Sequence, residues 1–172
     1  MRLIKPVETY KRASSILKRM NVPFWVAAGT ALGLYRDGNF ISHDTDIDIE
    51  IIGYPEGLIG AFEKEGFQIC RIWRHNNNYM QTAFYDIENG RNIFDIYYYY
   101  KEGEDLVNHN DHGKMIIPGR FTNSIEMLLY MGEEFPFLKP VEDYLEVRYK
   151  NWRKPEPRKG DWSKDAGNLY KE

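Results

Sequence analysis

Residues 44–51 alternate acidic side chains with isoleucines, and this alternation constrains the fold more than any other feature of the chain. The stretch reads Asp44-Thr45-Asp46-Ile47-Asp48-Ile49-Glu50-Ile51. A period of two residues is typical of a β-strand whose two faces meet different surroundings. We therefore expect the isoleucine face to pack into a hydrophobic core and the acidic face to line a site that neutralises its charge.

Asp46 and Asp48 are the candidate metal ligands on this strand. Residues two apart project from the same face with α-carbons about 6.5 to 7 Å apart, so both carboxylates can converge on one cation. Mg²⁺ prefers oxygen ligands and is usually held by one or two carboxylates together with water and substrate phosphates. No basic side chains alternate with the acids, which argues against an ordinary solvated strand edge. We predict a metal site for phosphoryl or nucleotidyl transfer.

A third carboxylate, Asp95, lies in the middle of an otherwise apolar segment. Residues 79–86 and 92–100 are rich in aromatic and β-branched residues, and the Asn89-Gly90 pair between them is a strong signal for a β-hairpin. An acid inside so apolar a strand is costly unless it has a partner. We predict that Asp95 is a third metal ligand, which would permit two ions roughly 3.5 to 4 Å apart.

The sequence before the acidic strand carries a candidate phosphate site. A short buried strand, 24–28, is predicted to lead through Gly29 and Thr30 into a helix. Backbone amides at the helix N-terminus and the Thr30 hydroxyl could hold a phosphate, although a plain helix cap has the same pattern. Arg36 is a candidate phosphate clamp, and His43 a candidate phosphate ligand or proton carrier. An unpaired surface arginine and a strand-edge histidine are the alternatives.

The rest of the pattern fits one domain, because 172 residues lie within the usual domain size of roughly 100 to 200. The region 155–172 is rich in Pro, Lys and Gly and is predicted to be an irregular C-terminal tail. The other expected elements are helices over 6–20, 56–65, 124–131 (with a cap at 122–124) and 140–152, a strand over 67–74, and a polar loop over 102–113 followed by a short edge strand over 114–118.

Composition narrows the partners and the compartment. The net charge of −3 is spread along the chain, so the basic surface that supplies nucleic-acid affinity is missing and no nucleic-acid partner is expected. The single cysteine, Cys70, rules out an internal disulfide. His75, His109 and His112 lack the spacing of a zinc site. No stretch approaches about 20 apolar residues and no signal-peptide pattern is present, so we expect a cytoplasmic protein without a membrane span.

Two stretches resemble the LicD family, to which fukutin and fukutin-related protein also belong. The first, residues 25–48, is similar to the family signature and reads WVAAGTALGLYRDGNFISHDTDID. The second, residues 144–155, is similar to the C-terminal Tyr-Leu, Tyr-Gly and Trp segment of the family and reads YLEVRYKNWRKP. The chain departs from the family at Ser42-His43, where Pro-Trp is frequent, at Thr45, which interrupts a run of acids, and at Lys150, where glycine is usual.

The resemblance implies a nucleotidyltransferase-like α+β fold, a single domain with a mixed β-sheet flanked by helices. It implies that Asp46 and Asp48 bind Mg²⁺ or Mn²⁺, that Asp95 is the third carboxylate, and that Asp44 adds charge or positions the acceptor. The helix start at Gly29 is implied to hold phosphate.

The resemblance also implies a reaction. Family members transfer a phospho-alcohol, such as phosphocholine or ribitol phosphate, from a CDP-linked donor to a hydroxyl of a sugar or glycan. We therefore expect a metal-dependent transferase with a nucleotide-linked donor and a glycan acceptor. Two alternatives stay open: nucleotidyl transfer from a nucleoside triphosphate to a small molecule, and a non-catalytic descendant that binds a nucleotide or a glycan. The sequence carries no signal for an oligomeric state.

Overall fold

A mixed β-sheet flanked by helices is present in the computed structural model, which describes residues 2–155, 162–164 and 166–171. The α-helices in these ranges are α1 (Pro6–Arg19), α2 (Ala28–Asp37), α3 (Leu58–Lys64) and α4 (Val141–Arg148). The strands are β1 (Phe24–Val26), β2 (Asp46–Ile52), β3 (Phe67–His75), β4 (Asn78–Asp86), β5 (Asn92–Glu102), β6 (Asp105–Asn110), β7 (Gly113–Ile117), β8 (Ile125–Tyr130), β9 (Glu133–Leu138) and β10 (Leu169–Tyr170). This arrangement confirms the predicted α+β class.

The strands β2 and β5 lie side by side at the centre of the sheet. They are parallel, and their register places Asp48 opposite Asp95. The strand β1 is antiparallel to β2, and β4, which also pairs with β3, is antiparallel to β5. The last residues of β5 pair instead with β6, and the sheet continues through β7 to β10. The parallel pairing is what brings acids distant in sequence to one place.

The isoleucine face of β2 forms part of the main hydrophobic core, as its alternation predicts. Ile47, Ile49 and Ile51 have no exposed surface, and apolar residues from β5, α1 and α3 pack on the same side. Burying one such side chain contributes about 1.5 to 3 kcal/mol. The opposite face of β2 carries the acids, so the register of the strand is fixed by its apolar face.

A buried carboxylate, Asp86 at the end of β4, holds α1 against the sheet. Its oxygens accept hydrogen bonds from the Thr9 hydroxyl at 2.7 Å and the Asn89 amide at 2.8 Å. Arg12 from α1 completes the cluster with an ion pair to the same carboxylate. Asp86 is therefore a buried acid whose charge is compensated by two neutral hydrogen-bond donors and one ion pair.

Two predicted elements between 102 and 131 are wrong. The polar loop expected over 102–113 contains β6, which pairs with both β5 and β7, so the strand that follows it is not an edge. The helix expected over 124–131 is the strand β8, paired with β9. The Thr122 hydroxyl donates back to the Gly119 carbonyl at 2.8 Å and closes a 3₁₀ turn, so it does not cap a helix. A short apolar run is compatible with either a helix or a strand, and here the pairing with β9 makes it a strand.

The C-terminal region is partly regular. Residues 162–164 form a 3₁₀ turn, and β10 adds an antiparallel strand to β7. Gly113 permits this pairing because its φ is +132° and a Cβ there would overlap the Tyr170 carbonyl oxygen. The prediction of an irregular tail at 156–161, 165 and 172 lies outside the described residues.

The helices of the described residues fall short of the length and hydrophobicity required to cross a bilayer.

Candidate active site

The three predicted carboxylates converge at one end of the β2–β5 pair. Ligand atoms of Asp46, Asp48 and Asp95 all lie within 4.8 Å of one another. Asp48 and Asp95 are buried, and Asp46 is half-buried. Three carboxylates this close repel one another strongly unless a cation shares them. The hard oxygen donors and their convergence fit a divalent metal such as Mg²⁺.

Asp95 is the least solvated of the three carboxylates. Gln81 donates to its Oδ1 at 2.8 Å, and the half-exposed Arg71 donates to its Oδ2 at 3.3 Å. Burial raises the pKa of the Asp95 carboxyl to about 6; the Arg71 cation lowers it, and the neighbouring Asp46 carboxylate raises it further. The hydrogen bonds from Gln81 and Arg71 hold the Asp95 carboxylate in a fixed orientation, but they do not fully compensate for the hydration that it loses on burial.

The start of α2 is hydrogen-bonded to β2. Thr30 is fully buried, and its Oγ1 accepts a hydrogen bond from the backbone N–H of Asp48 at 2.9 Å. Gly29 lies directly against Asp44, since a Cβ on Gly29 would be 2.6 Å from Asp44 Oδ2. Ala28, the first residue of the helix, faces the cleft in front of the carboxylates. The predicted phosphate-binding segment thus adjoins the triad, with the buried Asp44 carboxylate beside it.

Arg36 and His43 are not brought to the triad by the contacts of the described residues. The guanidinium of Arg36 is paired with Asp37 at 2.6 Å and reaches the Trp152 carbonyl at 3.5 Å. His43 is exposed in the loop before β2. Their predicted roles with phosphate stay predictions.

A cleft of about 350 Å³ extends from the carboxylates along the acidic face of β2. It runs past Glu50 towards α4 and the C-terminal 3₁₀ turn. Its walls are lined by Ala28, Asp46, Asp48, Glu50, Arg71, Trp73, Gln81, Tyr97, Tyr99, Asn108, Asn110, Asp111, His112, Met115, Arg148 and Trp162. The β2 wall is acidic, whereas β6, β7, α4 and the C-terminal turn supply amides, a methionine, an arginine and an aromatic ring, together with Asp111 and His112 from the turn between β6 and β7.

Glu50 continues the acidic face of β2 into the interior. Its carboxylate accepts hydrogen bonds from Trp25 Nε1 at 2.6 Å and from the hydroxyls of Tyr99 and Tyr144, each at 3.1 Å. Burial raises the pKa of Glu50, and these donors, with the charge of Arg148, oppose that shift. Because Tyr144 belongs to α4, Glu50 joins this helix to β2, and it also lines the cleft.

Sequence reasoning gave no site role to four of these side chains: Glu50, Arg71, Gln81 and Arg148. Glu50 had a usable signal, because it follows Asp48 at the same two-residue spacing. The others come from distant strands and a helix. Arg71, for example, reaches the site because it pairs with Ala83, which in turn pairs with Asp95.

Comparison with known families supports the predicted resemblance. The family model described as "LicD/FKTN/FKRP, nucleotidyltransferase domain" matches residues 21–137, more than half of the chain. The range includes the Gly-Thr helix start and all three carboxylates. The resemblance predicted for residues 25–48 is therefore confirmed, whereas the second stretch, 144–155, lies beyond the matched range.

Curated relatives extend the similarity to nearly the whole chain. "Ribitol-5-phosphate transferase FKTN" of Homo sapiens is 26% identical over 170 residues, which are 94% of this chain and 36% of that protein. The Mus musculus protein of the same name is 28% identical over 172 residues, with the same shares. An uncharacterized protein of Rickettsia typhi is 28% identical over 141 residues, 80% of this chain and 39% of that one. The chain thus spans little more than a third of the length of these relatives.

Among solved structures, the fold resembles that of ANT(2")-Ia, crystallised in complex with adenylyl-2"-tobramycin. The two share a TM-score of 0.50 and 16% sequence identity, over 78% of this chain and 69% of the other. At this identity the likeness concerns the fold alone. It agrees with the predicted α+β fold, a mixed sheet flanked by helices.

Proposed function

Because the chain belongs to the LicD/FKTN/FKRP family of nucleotidyltransferase domains, a family of transferases, we propose that it transfers a phospho-alcohol from a CDP-linked donor to a sugar or glycan hydroxyl. The phospho-alcohol is a group such as phosphocholine or a polyol phosphate. The observation that carries the proposal is the convergence of Asp46, Asp48 and Asp95 at one end of an open cleft, within a domain of this family. The curated relatives named as ribitol-5-phosphate transferases support the class of group transferred.

Asp46, Asp48 and Asp95 are the residues that would hold a divalent metal, Mg²⁺ in our proposal, with Mn²⁺ as the alternative. A metal bound there supplies positive charge that offsets the charge developing on the transferred phosphoryl group. The acceptor hydroxyl oxygen forms a new bond to the phosphorus of the phospho-alcohol and loses its proton to solvent, while the bond from that phosphorus to the bridging oxygen breaks and this oxygen leaves on CMP. CMP is the leaving group.

The chain's own residues orient the participants in this reaction. Gln81 and Arg71 fix the Asp95 carboxylate, and the Thr30 hydroxyl fixes the backbone of Asp48. The Asp95 carboxylate and the backbone that carries Asp48 are therefore held before substrate arrives, and such preorganisation favours electrostatic stabilisation in a partly dry cleft. The cleft leaves Asp46 the most accessible of the three to water and substrate.

Titration calorimetry with CDP-choline, CDP-ribitol, CTP and ATP, each with MgCl₂ or MnCl₂ and with EDTA, tests the proposal. We expect metal-dependent binding of a CDP-alcohol, and phosphorus NMR should detect CMP once a sugar acceptor is supplied. Preferred binding of a triphosphate with release of pyrophosphate would favour nucleotidyl transfer instead. If no nucleotide binds with either metal, the proposed activity is wrong.

Substitution of a ligand tests the site itself. Asp46→Asn should lower metal-dependent nucleotide binding at least about tenfold, since one of few charged ligands is lost. Glu63→Gln, an exposed acid on α3, is the matched control and should change nothing. Unchanged metal-dependent binding in Asp46→Asn would show that the triad does not hold the metal.

A further inference from the structure

Arg148 is a buried cation in the wall of the cleft, at the end away from the three carboxylates. Its side chain comes from the last turn of α4 and is 7% exposed. Its Nη1 donates to Asn168 Oδ1 at 3.2 Å and lies 3.9 Å from the Met115 sulfur. Its Nε has no hydrogen-bond partner among the described residues.

This environment leaves the guanidinium short of acceptors. An arginine carries five N–H donors, and within the described ranges one amide oxygen and one thioether accept from this one. The Glu50 carboxylate attracts Arg148, but its oxygens already accept bonds from Trp25, Tyr99 and Tyr144. The guanidinium also lies over the rings of Tyr149, 5.4 Å from the centroid, and Trp162, 6.0 Å from the centroid, which stabilise its charge. These rings leave N–H donors of Arg148 that a ligand with hydrogen-bond acceptors can use.

Asn108 supplies the complementary group in the same wall. Its amide nitrogen donates to the carbonyls of Met80 and Tyr98, at 2.7 and 2.9 Å, so both N–H groups are used within the protein. The amide oxygen is therefore the atom with acceptor capacity left for the cleft. Asn108 on β6 pairs with Met115 on β7, and the Met115 sulfur contacts Arg148. Met115 therefore has the Asn108 acceptor on one side and the Arg148 donor on the other.

We propose that this end of the cleft binds the nucleobase of the donor, and that Arg148 and Asn108 together select cytosine. Cytosine presents two adjacent acceptors, the 2-carbonyl oxygen and N3, next to a 4-amino donor. Arg148 donates to the acceptors and Asn108 accepts from the amino group. Uracil has an N–H at position 3 and a carbonyl at position 4. It would therefore place a donor against the Arg148 guanidinium and an acceptor against the Asn108 amide oxygen. The inference rests on the proposed function, because it assumes a nucleotide-linked donor.

The charges and the spacing of the cleft favour a neutral base at this end. A phosphate here would face the Glu50 carboxylate, whereas a base brings no charge. Glu50 follows Asp48 by two strand residues, about 7 Å, which is comparable to the span of a ribose and its 5′ linkage. The aromatic side chains of Tyr97 and Trp162 line the same cleft, and the Trp162 ring already contacts the Arg148 guanidinium and the His112 ring. They add apolar surface for a base.

The test compares ligands on the unaltered protein. Titration calorimetry with MgCl₂ measures the affinities for CDP, for UDP, and for the diphosphate of the pyrimidin-2-one riboside, which lacks the amino group. We expect CDP to bind at least about tenfold more tightly than UDP, since correct base contacts of this kind discriminate by that order. The analogue without the amino group should fall between the two.

Arg148→Lys keeps the positive charge but removes the planar guanidinium that donates two parallel hydrogen bonds. The ratio of the affinities for CDP and UDP should therefore fall towards one, while Mg²⁺-dependent binding persists. Arg153→Lys is the matched control, because Arg153 is exposed and paired with Glu142 and Glu146. If Arg148→Lys does not fold, the comparison of the three ligands on the unaltered protein decides.

The outcomes separate the two claims. Equal affinity for CDP and UDP, or an unchanged preference in a folded Arg148→Lys protein, overturns the base-selection proposal and leaves the proposed function standing. If none of the nucleotides binds in the presence of Mg²⁺, the proposed function fails and base selection fails with it.

Discussion

Replacing Asp95 by asparagine removes a buried charge, and we expect it to stabilise the metal-free protein while abolishing metal binding. Burial raises the pKa of Asp95 from 3.8 to about 6. The folded state therefore binds this proton more tightly than the unfolded state, so the free energy of unfolding falls as the pH rises from 4 to 6. A shift of about two units corresponds to roughly 3 kcal/mol, an upper estimate of the cost above pH 7.

Asparagine keeps the shape of the side chain and its oxygen can still accept from Gln81. The Arg71 ion pair is lost, but Arg71 is half-exposed, so that loss is small. At pH 8 with EDTA we expect Asp95→Asn to gain about 1 to 3 kcal/mol, or roughly 2 to 10 °C in Tm. With MgCl₂ the unaltered protein should gain stability and the variant should not.

Thermal unfolding followed by circular dichroism measures both effects, with and without metal and between pH 5 and 8. Asp86→Asn is the matched control, because Asp86 is equally buried but accepts from Thr9 and Asn89 and pairs with Arg12. That variant should lose stability at every pH. The reasoning fails if Asp95→Asn is less stable than the unaltered protein in EDTA at pH 8, or if it keeps the Mg²⁺-dependent rise in Tm.

Two further substitutions test the supports of the site. In Glu50→Gln the amide oxygen can still accept from Trp25 and Tyr144, but the amide N–H₂ faces the Tyr99 hydroxyl. The negative charge that attracts the buried Arg148 is also lost, so urea unfolding should show a loss of about 1 to 3 kcal/mol; a neutral result would contradict the hydrogen-bond network. Gly29→Ala places a Cβ 2.6 Å from Asp44 Oδ2, which must shift. We expect weaker Mg²⁺-dependent nucleotide binding by calorimetry, and full affinity would show that this close approach is not needed.

The sequence by itself determined the acidic strand and its chemistry. The side-chain direction in a strand follows from the two-residue period, so Asp46 and Asp48 share a face in any fold that makes residues 46–52 a strand. Their partner Asp95 was also predictable, because a carboxylate in an apolar strand needs a reason to be there. The family signature is likewise contiguous, which is why residues 25–48 were sufficient to indicate the family that residues 21–137 match.

Only the tertiary structure decided how the far end of the cleft is built. Arg148 lies 100 residues from Asp48, and its place in the cleft depends on Tyr144 and Glu50 joining α4 to β2. The strand β8 was equally undecidable from its local sequence, since a short apolar run fits a helix as well as a strand until β9 pairs with it. The periodicity of apolar residues indicates which face of a helix or strand is buried. The element that packs against this face is determined by long-range contacts.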